Sequence, residues 1–259
     1  MEINGFTVHG HVPYPIARER IKDILASKLS PDIYISGNDL DHGIDLALLK
    51  EIKNECRTIS FHGPLNDMTP GGVDEAFRML TVKRIHQTLD IAEDVQPEVV
   101  LFHAGYDKKR YDGRWDIWLE QSIKTWKDVS KRINDLGVII ALENVFEESP
   151  FVIKTLLSHL AIPILRFCLD SAHAMVFSDI ACYEWLEEMH PYLAELHIHN
   201  TRDKKKDEHN SVSDGIIDFG EILGRVKELG IHPLLTLEVH NEEGLMESIR
   251  TIEDLLATP

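Results

Sequence analysis

Short apolar runs of strand length alternate along the chain with longer segments of helical spacing. The runs cover residues 6–11, 32–36, 57–62, 98–103, 138–143, 164–170, a stretch that starts at Glu195, and 234–239. Most are nearly continuous in apolar character, which suits strands covered on both faces. Between them, apolar residues recur three and four apart, the spacing of amphipathic helices. These segments are 16–29, 46–52, 73–95, 114–136, 150–159, 183–192, 219–229 and 243–256. In the first, Ile16, Ile21, Ile24 and Leu25 fall near one face. In the third, Phe77, Leu80, Ile85, Leu89 and Ala92 point toward a core. Gly137 and Gly230 stand where helix stops belong. Strands alternating with helices imply a parallel sheet. Eight such units in about 250 residues fit a closed (β/α)8 barrel, an α/β fold, better than an open doubly wound sheet. No glycine-rich nucleotide-binding motif follows any run. No composition shift marks a boundary, so one TIM-barrel domain over residues 1–259 is expected.

Composition narrows the partners. At 43% hydrophobic the chain has ample material for a large core. No apolar run approaches the length of a membrane span, and the opening MEINGFTVHG lacks a secretory pattern. Cys56, Cys168 and Cys182 are scattered, with no C-x-x-C spacing. They read as reduced, structural thiols of a cytoplasmic protein. The net charge of −17 repels nucleic acid at long range. Two local basic runs, Lys108-Lys109-Arg110 and Arg202 with Lys204-Lys205-Lys206, read as solvated loops. No membrane partner is expected.

The chemistry gathers at the ends of the strands, where a (β/α)8 barrel builds its site. The third and fourth runs end in His62 and His103, the fifth in Glu143 and the sixth in Asp170. His173 follows Asp170 by three residues. The seventh run carries His197, and its loop holds Asp207 and His209. The eighth ends in Glu238. Imidazoles and carboxylates are ligands for divalent first-row metals. Four carboxylates and five neutral imidazoles carry −4 in all. One divalent ion leaves −2, two leave zero, and three leave +2, which would attract a phosphoryl oxyanion. A smaller reading has Glu143, Asp170, His197 and Glu238 holding one ion, with the other residues lining the pocket. His9, His11, His199 and His240 also lie near strand ends and read as pocket-lining or structural.

The segments HGPLN (62–66), LFHAG (101–105), ALENV (141–145), CLDSAH (168–173), HIHN (197–200), DEHNSVSDG (207–215) and LTLEV (235–239) resemble the xylose isomerase-like TIM-barrel superfamily. That superfamily includes endonuclease IV-type enzymes and sugar phosphate isomerases and epimerases. The resemblance covers nearly the whole chain. It implies one of two site patterns. The endonuclease IV pattern places one metal on His62, His103 and Glu143. A second falls on Glu143, Asp170, His197 and Glu238, and a third on His173, Asp207 and His209. The ketose epimerase pattern keeps one ion, on Glu143, Asp170, His197 and Glu238. Glu143 and Glu238 then double as the catalytic acid and base, His173 touches a substrate hydroxyl, and Arg202 lies near a substrate-binding arginine. Ions from one to three in number are implied, Zn2+ or Mn2+ foremost. The filled nine-donor set leans the reading to phosphoester hydrolysis, with isomerisation or epimerisation as the alternative. The short loop from His197 to Asp207 and the negative charge depart from a DNA-cleaving enzyme. A non-enzymatic ligand-binding barrel is disfavoured by the size of the donor set.

Overall fold

The computed structural model describes residues 1–66 and 68–257. The first half of the chain forms β1 (Glu2–Ile3), β2 (Phe6–Pro13), α1 (Tyr14–Glu19), α2 (Ile21–Ser27), β3 (Ser30–Tyr34), α3 (Gly37–His42), α4 (Leu46–Cys56), β4 (Ser60–His62), α5 (Glu75–Val95), β5 (Val99–His103) and α6 (Trp115–Leu136). The second half forms β6 (Ile139–Glu143), α7 (Phe151–Leu160), β7 (Leu165–Asp170), α8 (Ser171–Phe177), α9 (Cys182–Met189), a 3-10 turn (His190–Tyr192), β8 (Leu193–Ile198), α10 (Phe219–Glu228), β9 (Leu234–Leu237) and α11 (Glu242–Ala257). Strands β2 to β9 pair in chain order, all parallel. β9 returns to β2, with Val8 opposite Leu235 and Gly10 opposite Leu237, and closes the ring. The (β/α)8 barrel expected from the alternation is therefore present. β1 pairs antiparallel with the start of β2 across Asn4 and Gly5, both at positive φ (47° and 86°). Asn-Gly suits such a two-residue hairpin turn.

Strand parity sorts the interior. Successive side chains of a strand face opposite sides. In β5, Val100 and Phe102 join the main core, where Phe102 lies 6.1 Å from Trp126 between ring centroids. Val99 and Leu101 instead form a small separate cluster with Ala141, Cys168 and Leu234. That cluster lines the barrel itself. The same parity sends His103, Glu143, Asp170, His197 and Glu238 into the barrel, at its C-terminal end. Trp118, Trp126 and Trp185 are fully buried in the main core.

Several expected elements differ in detail. The segment 16–29 is two helices, broken at Arg20, whose φ of −111° leaves the helical range. The Arg20 guanidinium pairs there with Asp23 and Glu242. α3 was not expected; Ser36 and Asp39 form a capping box that starts it. α8 grows directly out of β7, because the Asp170 carboxylate accepts the His173 N–H at 2.7 Å. Phe77 and Leu80 do not face the core: they are 58% and 41% exposed. The inner stripe of α5 is Arg78, Thr81, Val82, Ile85, Thr88, Leu89, Ala92 and Val95. Arg78 fits there because Glu75 and Asp128 neutralise it and Thr125 accepts from it.

Candidate metal centre

The nine donors expected from the sequence converge, in overlapping groups. His62, His103 and Glu143 offer ligand atoms that all lie within 4.8 Å of one another. Glu143, Asp170, His197 and Glu238 do the same, as do His173, His199, Asp207 and His209. Glu143 is common to the first two groups. Glu143, Asp170 and His197 are essentially inaccessible to solvent.

Three of the imidazoles are oriented alike. His62 gives Nδ1 to the Gly63 carbonyl at 2.8 Å, His173 to that of Asn144 at 2.9 Å, and His209 to that of Glu238 at 2.8 Å. A carbonyl only accepts, so each Nδ1 carries the proton. The opposite nitrogen then faces a carboxylate. His62 Nε2 lies 3.3 Å from Glu143, and His103 Nε2 lies 3.4 Å from the same oxygen. His173 Nε2 and His209 Nε2 lie 3.3 and 2.9 Å from Asp207 Oδ2. An imidazole lone pair against a carboxylate needs a proton or a cation between them. Anchoring one ring nitrogen on a carbonyl while the other faces anionic donors is how metal-bound histidines are held. His197 is turned the other way. Its Nδ1 lies 3.2 Å from Glu238 and 3.5 Å from Glu143, and its Nε2 faces Glu195 at 3.5 Å.

The electrostatics agree. Burial opposes charge on Glu143, but His197 and His103 outweigh it and hold its carboxyl well below the usual range. Burial opposes charge on Glu238 too, and His11 and His197 overcome it. His173 is raised well above an ordinary histidine: burial lowers it, and Asp170, Asp207 and Glu143 more than compensate. His209 is pushed up to about 9 against burial, chiefly by its hydrogen bond to Asp207. His103 goes down, because burial wins over its single carboxylate neighbour, Glu143. The carboxylates thus hold protons on imidazoles that metal ions would displace. Buried atoms without a hydrogen-bond partner include Glu143 Oε2, His199 Nδ1 and Asp207 Oδ1. Such atoms are costly to leave unpaired, and all three lie on the donor groups. The residues fit divalent cations.

Neighbouring residues set the frame. Asn144 donates its amide N–H to the Asp170 carbonyl and accepts the Asp170 N–H, at 3.0 and 2.9 Å. It locks the end of β6 to the end of β7. Buried Asn200 binds Val212 and Ile217 in the loop after β8, which folds back through the bridge of Asn200 with Asn210. Gly215 touches this asparagine so closely that a Cβ would lie 2.1 Å from Asn200 Oδ1. Beneath the donors, His11 binds Asp32 at 2.8 Å, and Asp32 continues through Ser60 to His9. His240 stacks on His209 with centroids 3.9 Å apart.

Not every expected role is matched. Arg202 is tied to Asp214 through two hydrogen bonds and lies 4.0 Å from Glu208; its side chain is exposed, and its partners are not among the metal-facing donors. His199 and Glu195, conversely, belong to the buried centre and were not singled out as donors. Glu195, His197 and His199 recur every second residue, so they share one face of the chain along β8 and just past its end, and that is the signal that would have found them.

Comparison with known proteins places this geometry in a family. Residues 32–255 match the family described as the xylose isomerase-like TIM barrel. An uncharacterised protein of Methanocaldococcus jannaschii, MJ1311, is 24% identical over 231 residues, which are 86% of this chain and 76% of that one. Among solved structures, the TTHB071 protein of Thermus thermophilus, soaked with ZnCl2, is 25% identical with a TM-score of 0.78. The match covers 97% of this chain and 98% of that one. A D-tagatose 3-epimerase-like protein is 21% identical with a TM-score of 0.80, over 96% and 97% of the two chains. D-psicose 3-epimerase of Clostridium cellulolyticum H10, solved with D-tagatose, is 14% identical with a TM-score of 0.74, over 96% and 98%. Sequence match, closed parallel barrel and strand-end donors agree, and the chain belongs to the xylose isomerase-like TIM barrel family.

Proposed function

We propose that this protein is a divalent-metal-dependent isomerase or epimerase acting on a sugar or a sugar derivative. The observation that carries the reading is the buried set of Glu143, Asp170, His197 and Glu238, within 4.8 Å of one another, in a fold whose solved neighbours include several sugar epimerases. Those four residues would hold the ion, which supplies polarisation of adjacent carbonyl and hydroxyl oxygens and so acidifies the neighbouring C–H. Glu143 and Glu238 are both held as carboxylates at neutral pH, the form a proton acceptor needs. One removes the proton from the carbon beside the carbonyl. The other, once it has taken up a proton from solvent, returns it to the opposite face and is left as the carboxylate, so configuration inverts with no net redox change and the first glutamate ends protonated. His173, whose Nδ1 lies 3.3 Å from Glu143, is the candidate hydrogen-bond partner of a substrate hydroxyl.

The test is solvent exchange. Ketoses and ketose phosphates incubated with the metal-loaded protein in D2O should incorporate deuterium at one carbon. Glu143→Gln and Glu238→Gln should each slow this by about 10²- to 10⁴-fold. No incorporation into any member of such a panel would count against the reading. A second reading, metal-assisted phosphoester hydrolysis, is favoured by one observation: the groups His62, His103, Glu143 and His173, His199, Asp207, His209 adjoin the first. It expects three ions per chain and turnover of bis-p-nitrophenyl phosphate; one ion and no turnover would remove it.

A further inference from the structure

His197 is inverted relative to three other imidazoles of the centre. His62, His173 and His209 rest Nδ1 on a main-chain carbonyl and turn Nε2 toward carboxylates. His197 turns Nδ1 toward them instead: Glu238 at 3.2 Å, Glu143 at 3.5 Å and Asp170 at 3.9 Å. Nδ1 is thus the nitrogen that would meet an ion held by those three carboxylates. Its lone pair is free for this only if the neutral ring carries its proton on Nε2. No main-chain carbonyl takes up that N–H. Among the described residues Nε2 has no hydrogen-bond partner, and what faces it, at 3.5 Å, is Glu195 Oε1.

Glu195 lies one layer deeper in the barrel. Along the strands it is level with Cys168 and Leu234, both of the apolar cluster, whereas His197 is level with Asp170 and Thr236. Glu195 is fully buried. A carboxylate in such a layer is costly unless it is partnered. Thr236 donates its O–H to Glu195 Oε1, while Oε2 has no partner among the described residues. The threonine therefore anchors the same oxygen that faces His197. A closure of about 0.5 Å brings Nε2 and Oε1 to hydrogen-bond length. A buried acceptor, anchored from β9, stands beneath a buried donor that lacks one.

We propose that Glu195 is a positioning residue of the metal centre. Its carboxylate accepts the Nε2–H of His197, fixes the tautomer and ring angle that present Nδ1 to the ion, and makes that nitrogen a stronger donor. Anionic partners of this kind raise the basicity of a ligating imidazole, and their loss costs about 10- to 100-fold in metal affinity. Glu195 itself touches neither ion nor substrate. This rests on the metal-centre reading above but not on the choice of reaction.

The test reads the tautomer and the affinity. Protein labelled with 15N at histidine is stripped with chelator and reloaded with Zn2+. The imidazole whose signals vanish in His197→Gln should show a protonated Nε2 and a metal-bound Nδ1. Its N–H proton should move upfield in Glu195→Leu. A bare Nε2 in the loaded wild-type protein overturns the proposal without recourse to a variant at Glu195. Zn2+ affinity, read by competition with a chromophoric chelator, should fall about 10- to 100-fold in Glu195→Leu. It should fall less in Glu195→Gln, whose amide oxygen still accepts but carries no charge. Thermal unfolding of the stripped proteins shows whether each variant is folded; where the Leu form is not, the Gln form decides. Wild-type affinity and an unmoved N–H resonance in the folded variant overturn the proposal. Cys168 supplies the rival account, since it lies with Glu195 and His197 in a trio whose ligand atoms are within 4.8 Å of one another. Cys168→Ser should keep the wild-type ion count by elemental analysis; loss of an ion there makes the trio a metal site of its own and also overturns the proposal. A wild-type chain that binds no Zn2+ removes the metal centre and this proposal with it. A chain that passes these tests but exchanges no deuterium loses the epimerase reading and keeps this one.

Discussion

Glu147 sits four residues beyond Glu143 and has another kind of task. Its carboxylate accepts the backbone N–H of Tyr106 at 2.9 Å and of Val145 at 2.7 Å, joining the loops that follow β5 and β6. Burial pushes it up to about 7, from 4.5. A folded-state value above the unfolded one means that the folded protein binds the proton more tightly. This contribution is therefore full below pH 4.5 and is lost as pH rises to about 7, by roughly 3 kcal/mol. Urea unfolding of the metal-stripped protein should show stability falling over that window, and Glu147→Gln should flatten the slope. An unchanged slope in the variant would assign the pH dependence elsewhere. At this scale the sequence was informative where residue type alone speaks. Asp207 and His209 stood out as Asp-x-His in a charged loop. Glu147, a glutamate in the run EES, looks the same as its exposed neighbours until the fold buries it.

The elements show why pattern reading succeeds for strands and slips on helices. A buried parallel strand is apolar on both faces, so β5 and β6 were legible as continuous runs, with the functional residue at the end. α5 misleads because its inner stripe carries Arg78, Thr81 and Thr88, whose polar groups are satisfied inside, while Phe77 and Leu80 lie outside. The two faces should respond very differently. Phe77→Ser and Leu80→Gln should each shift unfolding free energy by no more than about 0.5 kcal/mol. Ile85→Ala removes a fully buried side chain and should cost about 2–5 kcal/mol. Chemical denaturation of the three variants checks this, and comparable losses at Phe77 and Ile85 would contradict the assigned face. The break at Arg20 was not legible, since it depends on contacts that spacing does not encode, whereas the Ser36-x-x-Asp39 capping box stands in the sequence but precedes too short an apolar run to stand out.

For the molecule as a whole, the donor groups concentrate negative charge in the barrel's C-terminal end, within a chain that already carries −17. An ion that binds there stabilises the folded state and not the unfolded one. Chelation should therefore lower the midpoint of thermal unfolding, reversibly on adding back metal. Affinity should rise with pH, because neighbouring carboxylates raise His62, His173 and His197, which therefore hold protons more tightly than ordinary histidines and must release them to bind. Proton release measured on adding Mn2+ or Zn2+ would show it; a pH-independent affinity would not fit. The closed barrel was readable from the eightfold alternation, and the convergence of donors followed from it. Which imidazole meets which ion was not, since ring orientation depends on single carbonyls and carboxylates brought up by other strands.

The seam between β2 and β9 joins segments from opposite ends of the chain. Synthesis runs from the N-terminus, so on the ribosome β2 waits, edge open, until β9 emerges. The strand that closes the seam also brings Glu238 to its end. A nascent polypeptide stalled before that point lacks the barrel's last wall and Glu238 together, so the donor set of Glu143, Asp170, His197 and Glu238 is completed only as the ring closes.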